Sequence, residues 1–363
     1  MLIPELPEYL TNLGGGEYKG LIISLFTLTA MISRPFSGKL ADKIGRVPVM
    51  MAGSIVCFIC SFIYPAITSV AGFLFLRLIH GFSTGFTPTG QTAFLSDIIP
   101  AQRRGEAMGL LGTAGTVGMA CGPALGGTLA NRFGLDMMFY CSSILAMLSV
   151  LILIGIKETV PDKHSFHPRL LKVKKADLFE PRVLVPCLVM VLCAFAYGAV
   201  YTIIPDFGKF VGIKNKGLLF TYLTVSILFV RLIGGTASDQ WGRKPVLIVS
   251  TLLITSSMLV IGLATTTAQL IVGVTLYGLG HGATSPTLLA WAADLSDEHH
   301  KGRGVASLYI FMELGIGLGA LISGFIYSNN SENFFVTFIT CALLSVSAFL
   351  YLIFLRKPVK SLV

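Results

Sequence analysis

The chain has 363 residues, of which 54% are hydrophobic and only 12% are charged. Because a soluble globular domain carries about 25% charged residues, this composition excludes a soluble protein and indicates a polytopic membrane protein. The net charge of +9 is compatible with nucleic-acid binding, but the basic residues are placed like the loop charges of a membrane protein, so we exclude that function.

The chain begins with the sequence MLIPELPEYLTNLGGGEYKG. This short apolar stretch with two prolines and a glycine-rich turn resembles the outer end of a helix. We therefore expect a first helix whose first two thirds are absent, so that the given start is late or truncated.

Eleven complete apolar segments follow, each long enough to cross a membrane as a helix. They predict an all-α polytopic fold with about eleven complete transmembrane helices. The predicted segments span residues 18–38, 47–67, 71–95, 105–130, 135–156, 183–205, 214–237, 245–265, 267–292, 303–328 and 334–355.

Charge placement predicts the domains and the orientation. The polar stretch 157–182 divides the chain into an N-terminal helical bundle, 1–156, and a C-terminal helical bundle, 183–363. Of the 27 Lys and Arg residues, 19 fall on one side of the predicted helices and 5 on the other. Because basic loops stay in the cytoplasm, we expect the richer side there, with both chain ends cytoplasmic once the first helix is restored.

Two stretches of the chain repeat one pattern. Residues 38–49 read GKLADKIGRVPV, and residues 235–246 read GTASDQWGRKPV, at a fixed offset of 197 positions. The same gap-free offset relates Arg34 to Arg231, Gly81 to Gly278, Gly85 to Gly282, Asp97 to Asp294, Gly118 to Gly315, Gly122 to Gly319 and Gly127 to Gly324. The chain is therefore predicted as two parallel six-helix halves, with a site at mid-membrane depth between them.

The repeated stretch resembles the signature of the major facilitator superfamily of transporters. The signature residues are Gly38, Asp42, Gly45 and Arg46, and in the second copy Gly235, Asp239, Gly242 and Arg243. Glycine lets helices approach closely, and Asp42 can pair with Arg46. The resemblance implies that Asp42 also contacts the helix that starts near Gly302 and latches the inner side closed. Val47 departs from the family pattern, in which a second basic residue follows the arginine.

The segment 71–95 contains RLIHGFSTG, with Arg77, Gly81 and Gly85 on one helical stripe. A buried arginine usually faces a cavity or a partner, and efflux members of the family place a basic residue here. The alternative is an arginine that reaches the membrane interface. His80 lies close to the same face and either titrates near physiological pH or packs with a hydrogen bond.

The segment 105–130 contains GMACGPALGG. Its glycines give a flat face for packing, and its proline bends the helix. The pattern resembles one associated with antiporters in the family, which favours export over uptake; the alternative is a tight helix crossing. The motif residues are Gly118, Gly122, Pro123, Gly126 and Gly127.

Glu313 is an acidic residue deep inside a predicted helix, roughly 16 Å from its start. We interpret it as a site for a proton or a cationic substrate, with Arg77 as the counter-charge across the halves; the alternative is an inert, hydrogen-bonded carboxylate. Glu5 and Glu8 either gate the outer mouth or are solvated at the interface. Cavity aromatics are predicted at Phe195, Tyr197, Tyr201, Trp291 and Phe311.

These features together predict secondary active efflux of a small amphipathic or cationic compound, driven by a proton gradient. Neither an ATP-binding loop, a catalytic set nor a metal site is predicted, so no cofactor and no enzymatic activity are expected. The expected partners are the lipid bilayer, protons and a small-molecule substrate, with a functional monomer in a bacterial inner membrane. The alternatives are proton-coupled uptake of a sugar or other metabolite and a non-transporting membrane sensor.

Overall fold

The computed structural model describes residues 1–99, 104–160, 165–167, 170, 179–234, 237–296 and 301–354. All regular structure in these residues is helical. The α-helices are α1 (Leu6–Asn12), α2 (Lys19–Ile44), α3 (Arg46–Ile63), α4 (Val70–Ile98), α5 (Arg104–Phe133), α6 (Leu135–Ile154), α7 (Leu184–Phe210), α8 (Gly217–Gly234), α9 (Ala237–Gln240), α10 (Arg243–Gly262), α11 (Thr267–Leu295), α12 (Lys301–Tyr327) and α13 (Phe334–Phe354).

The eleven predicted segments each correspond to one long helix. Eight of these helices are long and apolar enough in their described residues to cross a membrane by themselves. Large apolar side chains such as Ile144, Leu151 and Ile152 point outward from α6 and are more than half exposed. Such a surface is stable in lipid and unstable in water, so the chain is a multi-pass membrane protein.

A glycine with positive φ precedes a long helix in each repeated stretch. Gly45, between α2 and α3, and Gly242, before α10, have φ values of +123° and +87°, which favour glycine because other residues have a Cβ atom that crowds the backbone. Residues 39–44 lie between the predicted segments 18–38 and 47–67, but residues 38–44 form the last two turns of α2. Pro35 is the proline inside α2 and lies earlier in the helix. The helix therefore continues through residues 38–44 until Gly45.

The two halves are held together chiefly by two helix pairs. Within the first half α2 and α3 pack on α4, and within the second half α7 packs on α12 and α13. Between the halves α2 packs on α12, and α5 packs on α8. We call the end of the bundle that carries Gly45 and Gly242 the motif end, and the end that carries Lys19 and Lys216 the opposite end.

Candidate functional site

At the opposite end the two helix pairs touch backbone to backbone. A Cβ atom placed on Gly20 in α2 would lie 2.6 Å from the carbonyl oxygen of Ala320 in α12. A Cβ atom placed on Gly217 in α8 would lie 3.0 Å from the amide nitrogen of Ala124 in α5. Gly20 and Gly217 are related by the offset of 197, so the two crossings are equivalent and leave no space for a side chain.

Buried ion pairs join the halves beside these crossings. Lys19 is 7% exposed and pairs with Asp206 of the other half, and it also donates to Asn329 at 2.5 Å. Lys216, its equivalent at the offset of 197, pairs with Glu5 at 3.1 Å and Glu8 at 2.5 Å. Each half therefore contributes one lysine and receives the acid of the other half.

The structure decides between the two interpretations of Glu5. Its side chain is 3% exposed and is bound to Lys216, so the expectation of a solvated interfacial carboxylate is wrong for this residue. Glu8 is 40% exposed and also pairs with Lys216, so it is both partly solvated and part of the contact between the halves. Burial disfavours the charge of Lys216, but Glu5 and Glu8 together raise the pKa of Lys216 above its ordinary value. The hydrogen bond from Lys216 lowers the pKa of Glu8.

At the motif end the repeated residues tie helices together within each half. Arg46 pairs with Asp42 and donates from Nε to Asp97 of α4 at 3.1 Å. Arg243 donates from Nε to Asp294 of α11 at 2.9 Å, the equivalent contact in the second half. The predicted pair of Asp42 with Arg46 is therefore present. Gly235 and the side chain of Asp239 lie outside the described residues.

The predicted latch is absent from the contacts of Asp42 in the described part of the chain. The side chain of Asp42 is 67% exposed, and its partner there is Arg46. Among the described residues, a Cβ atom on Gly38 would meet nothing within 4 Å, so no close helix approach at Gly38 is seen in that part of the chain. The contacts that close the halves lie at the opposite end.

Glu158, which the sequence did not single out, holds the start of α3. Its carboxylate accepts hydrogen bonds from the amide groups of Arg46 and Val47, both at 3.0 Å. It also accepts from Thr159 and Val160 in its own loop. Burial disfavours its charge, but these four amide donors outweigh burial and lower the pKa of Glu158.

The glycines of α5 differ in their surroundings along the helix. In the described part of the chain, Cβ atoms on Gly112, Gly115 and Gly118 would meet nothing within 4 Å. Those on Gly126 and Gly127, nearer the opposite end, would meet Met1 and Asn215. The close contacts of these glycines therefore lie toward the opposite end.

Glu313 in α12 is 5% exposed and forms an ion pair across the halves. Its Oε1 atom accepts from Nη2 of Arg34 at 2.6 Å. The guanidinium of Arg34 lies 4.9 Å from the ring centre of Tyr309, within the range of a cation–π contact. The predicted counter-charge, Arg77, is wrong, and Arg34 takes that place.

Arg77 and His80 are buried inside the first half. Arg77 is 2% exposed, donates from Nε to the carbonyl oxygen of Ile22 at 2.9 Å and lies over the ring of Phe26 at 4.4 Å. Its described contacts are with Ile22, Phe26 and Tyr64, all in the first half. His80 hydrogen-bonds the hydroxyl of Tyr64 at 3.3 Å, so the packing interpretation describes it.

The glycine and proline motif of α5 forms a close crossing with α8. Gly217 packs on the backbone at Pro123 and Ala124, and Asn215 donates to the carbonyl oxygen of Ala124 at 3.4 Å. The tight-crossing interpretation therefore describes this part of the motif in this conformation. Gly118 is free of contacts at its Cβ position.

Regular stripes lead from each crossing to a central arginine. In α2, Gly20, Thr27 and Arg34 recur at intervals of seven residues, which is one helix face. They meet Ala320 and Gly324, then Gly317, then Glu313 of α12. In α8 the equivalent stripe is Gly217, Thr224 and Arg231, and Arg231 donates to the hydroxyl of Thr116 in α5 at 2.9 Å.

The sequence does contain a pattern that points to the basic members of these pairs. Arg34 and Arg231 appear in the list of residues related by the offset of 197, and Lys19 and Lys216 satisfy the same offset. Charges that repeat at this offset mark equivalent positions in the two halves. Partner acids such as Asp206 lack that signal, because the acids are not placed at the same offset.

Comparison with known proteins gives a consistent family. A family model described as Major Facilitator Superfamily matches residues 1–230 and 213–363. The multi-drug resistance efflux pump PmrA of Streptococcus pneumoniae is 26% identical over 343 residues, which cover 89% of this chain and 82% of that protein. The quinolone resistance protein NorA of Staphylococcus aureus is 30% identical over 202 residues, or 54% of this chain and 52% of that protein.

Solved structures agree on the fold. The xylose transporter XylE from E. coli, in a partially occluded inward open conformation, superimposes with a TM-score of 0.78. The match covers 99% of this chain and 95% of that chain at 17% sequence identity. The helical fold of this chain is therefore shared with a solved transporter.

Proposed function

The chain belongs to the Major Facilitator Superfamily of membrane transporters, and on that premise we propose that it exports small amphipathic organic compounds in exchange for protons. The two relatives are named for efflux and for drug resistance, which supports export. The glycine and proline motif of α5 also supports export, because it resembles a motif associated with antiporters in the family. The chain acts as a monomer in a bacterial inner membrane.

The proposal places the motif end in the cytoplasm, following the excess of Lys and Arg on that side. The conformation described above is then open to the cytoplasm and closed to the outside. An exporter loads its substrate in this conformation. Transport follows when the pairs of Lys19 and Lys216 separate and Asp42 reaches its latch partner at the inner side.

The buried ion pair of Arg34 and Glu313 is the observation that carries the proposal. It spans the halves at mid-membrane depth, and its formation depends on the charge of Glu313. A proton on Glu313 cancels that charge and removes the ionic part of the link. Because a protonated and an ionised carboxylate favour different arrangements of the halves, proton movement can be coupled to the change of access.

Everted membrane vesicles provide the test. Respiration acidifies their interior, and a pH-sensitive dye reports the gradient. When compounds that the chain exports are added, wild-type vesicles lose protons, and Glu313→Gln vesicles do not. Glu332→Gln is the matched control, because Glu332 is exposed at the opposite end and its replacement is expected to leave proton release unchanged.

Two results contradict the proposal. One is proton release by Glu313→Gln equal to that of wild type at every pH tested. The other is accumulation of the compounds in right-side-out vesicles under an inward proton gradient, which is uptake. Glu313→Asp keeps the charge and separates loss of coupling from loss of folding.

A further inference from the structure

The two halves differ chemically at one equivalent position in the middle of the bundle. Arg34 binds the carboxylate of Glu313 at 2.6 Å. The offset of 197 carries Arg34 to Arg231 and relates Glu313 to Thr116, and Arg231 donates to the Thr116 hydroxyl at 2.9 Å. One arginine therefore has an acid across the interface, and its equivalent has an alcohol.

Arg231 leaves an unmatched positive charge at this depth. A guanidinium stays protonated in proteins, and a hydroxyl carries no charge to balance it. In the described part of the chain no carboxylate lies within ion-pair distance of Arg231. Because Glu313 already neutralises Arg34, the three groups together carry a net charge of +1. A buried charge without a counter-charge is costly in a membrane, so its presence favours a ligand that supplies one.

Buried hydrogen-bonding atoms without a partner occur on Arg231 and on α11. The Nε atom of Arg231, Nδ1 of His281 and the hydroxyl of Tyr277 have no hydrogen-bond partner among the described residues. The ring of His281 stacks on Tyr277 at 5.6 Å and lies 4.9 Å from the ring of Tyr197. Arg231 interacts electrostatically with His281 and Tyr197, which joins these atoms into one cluster.

We propose that Arg231 binds an anionic group of the transported compound, such as a carboxylate or a sulfonate. This inference rests on the proposed function and names the substrate class of the same central space. The planar guanidinium suits a two-oxygen anion, and the rings of Tyr197 and His281 offer apolar faces to the rest of an amphipathic molecule. The charge balance favours an anion over the cationic compound that the sequence predicted.

Equilibrium binding tests the inference without any gradient. Purified protein in nanodiscs is titrated with three probes that share one fluorophore: dansylglycine with a carboxylate, neutral dansylamide and cationic dansylcadaverine. We expect dansylglycine to bind most tightly, by roughly 10-fold or more over dansylamide, which is the usual effect of a hydrogen bond to a charged group. Arg231→Gln abolishes that difference, and Arg231→Lys retains part of it.

Two variants at Thr116, equal in size but different in charge, separate an effect on binding from an effect on folding. Thr116→Glu supplies the acid that the first half lacks, so it pairs with Arg231 as Glu313 pairs with Arg34. We expect it to weaken dansylglycine binding as much as Arg231→Gln does. Thr116→Gln adds a side chain of the same size without charge and is expected to weaken binding much less.

The inference is overturned if the three probes bind equally or not at all, if dansylcadaverine binds most tightly, or if Arg231→Gln keeps the preference. It is also overturned if chloride alone occupies the site and no organic anion competes with it. The proton-release assay with Glu313→Gln reports on the proposed function alone. Loss of coupling there and loss of anion preference here are therefore distinguishable failures.

Discussion

Replacing Lys216 by methionine is expected to open the end of the bundle that carries it. The side chain of Lys216 is 8% exposed, and that of its partner Glu5 is 3% exposed. Removing one member of a buried pair leaves the other charge without compensation, which costs about 3 kcal/mol. Glu8, at 40% exposure, adds less than about 1 kcal/mol because water screens it.

This cost falls on one conformation only. Glu5 is desolvated when the halves are closed at this end and becomes solvated when they separate. A difference of about 3 kcal/mol changes the ratio of the two conformations roughly 100-fold. An equilibrium of about 99 to 1 in favour of the closed state then moves close to 1 to 1.

Distances between spin labels measure the shift directly. Arg132 and Glu332 are exposed at the same end, one in each half, and can carry labels after the native cysteines are replaced. In Lys216→Met we expect a second population at longer distance, which the parent protein lacks. Lys214→Met is the control, because Lys214 lies two residues away and is exposed.

A single distance distribution unchanged in Lys216→Met refutes the reasoning. It means that the pairs of Lys216 add nothing to closure. Equal changes in Lys214→Met refute it as well, since the effect is then one of net surface charge rather than of a buried pair.

Two further predictions concern the close crossing and the start of α3. Gly20→Ala is expected to prevent full closure of the opposite end and to reduce transport, because its Cβ atom would lie 2.6 Å from the Ala320 oxygen. The spin labels at Arg132 and Glu332 measure the change in distance. Gly155→Ala is the control and is expected to have no effect, because its Cβ atom would meet one atom at 3.8 Å. Glu158→Gln is expected to lower the free energy of unfolding by about 1–2 kcal/mol, because α3 loses part of its N-terminal capping. Because the pKa of Glu158 is lowered, its contribution is present above the usual value of about 4.3 and is lost as the pH falls through the lowered pKa. The stability difference between wild type and Glu158→Gln should therefore be constant from about pH 6 to 8 and shrink in acid; a difference that grows on acidification contradicts the assignment.

The helices could be predicted from the sequence because hydropathy alone defines them. A membrane helix must satisfy its own backbone hydrogen bonds, so a long apolar run has few alternatives. The ends were less predictable, and residues 38–44 show why. Their polar character indicated a loop, but the helix continues until Gly45, where the backbone adopts a positive φ.

The central pair was predicted with one correct residue and one wrong one. Glu313 stood out because an acid at that depth is rare. Its partner depends on which helices of the two halves meet, and spacing within one helix does not contain that information. Arg77 points into its own half toward Ile22, whereas Arg34 is carried to Glu313 by the crossing of α2 on α12.

The repeat makes the difference between the halves interpretable. Each half presents a lysine, a glycine and an arginine to the other half, at positions 19, 20 and 34 and again 197 residues later. The lysines and glycines make equivalent contacts with the other half, so their roles are in closing the bundle. Only at the arginines do the partners differ in charge, Glu313 on one side and Thr116 on the other. A duplicated structure keeps its closing contacts twice and its central acid once. Closing, which both halves perform, is thereby separated from the two roles proposed at the arginines: a proton on Glu313 beside Arg34, and an anion at Arg231.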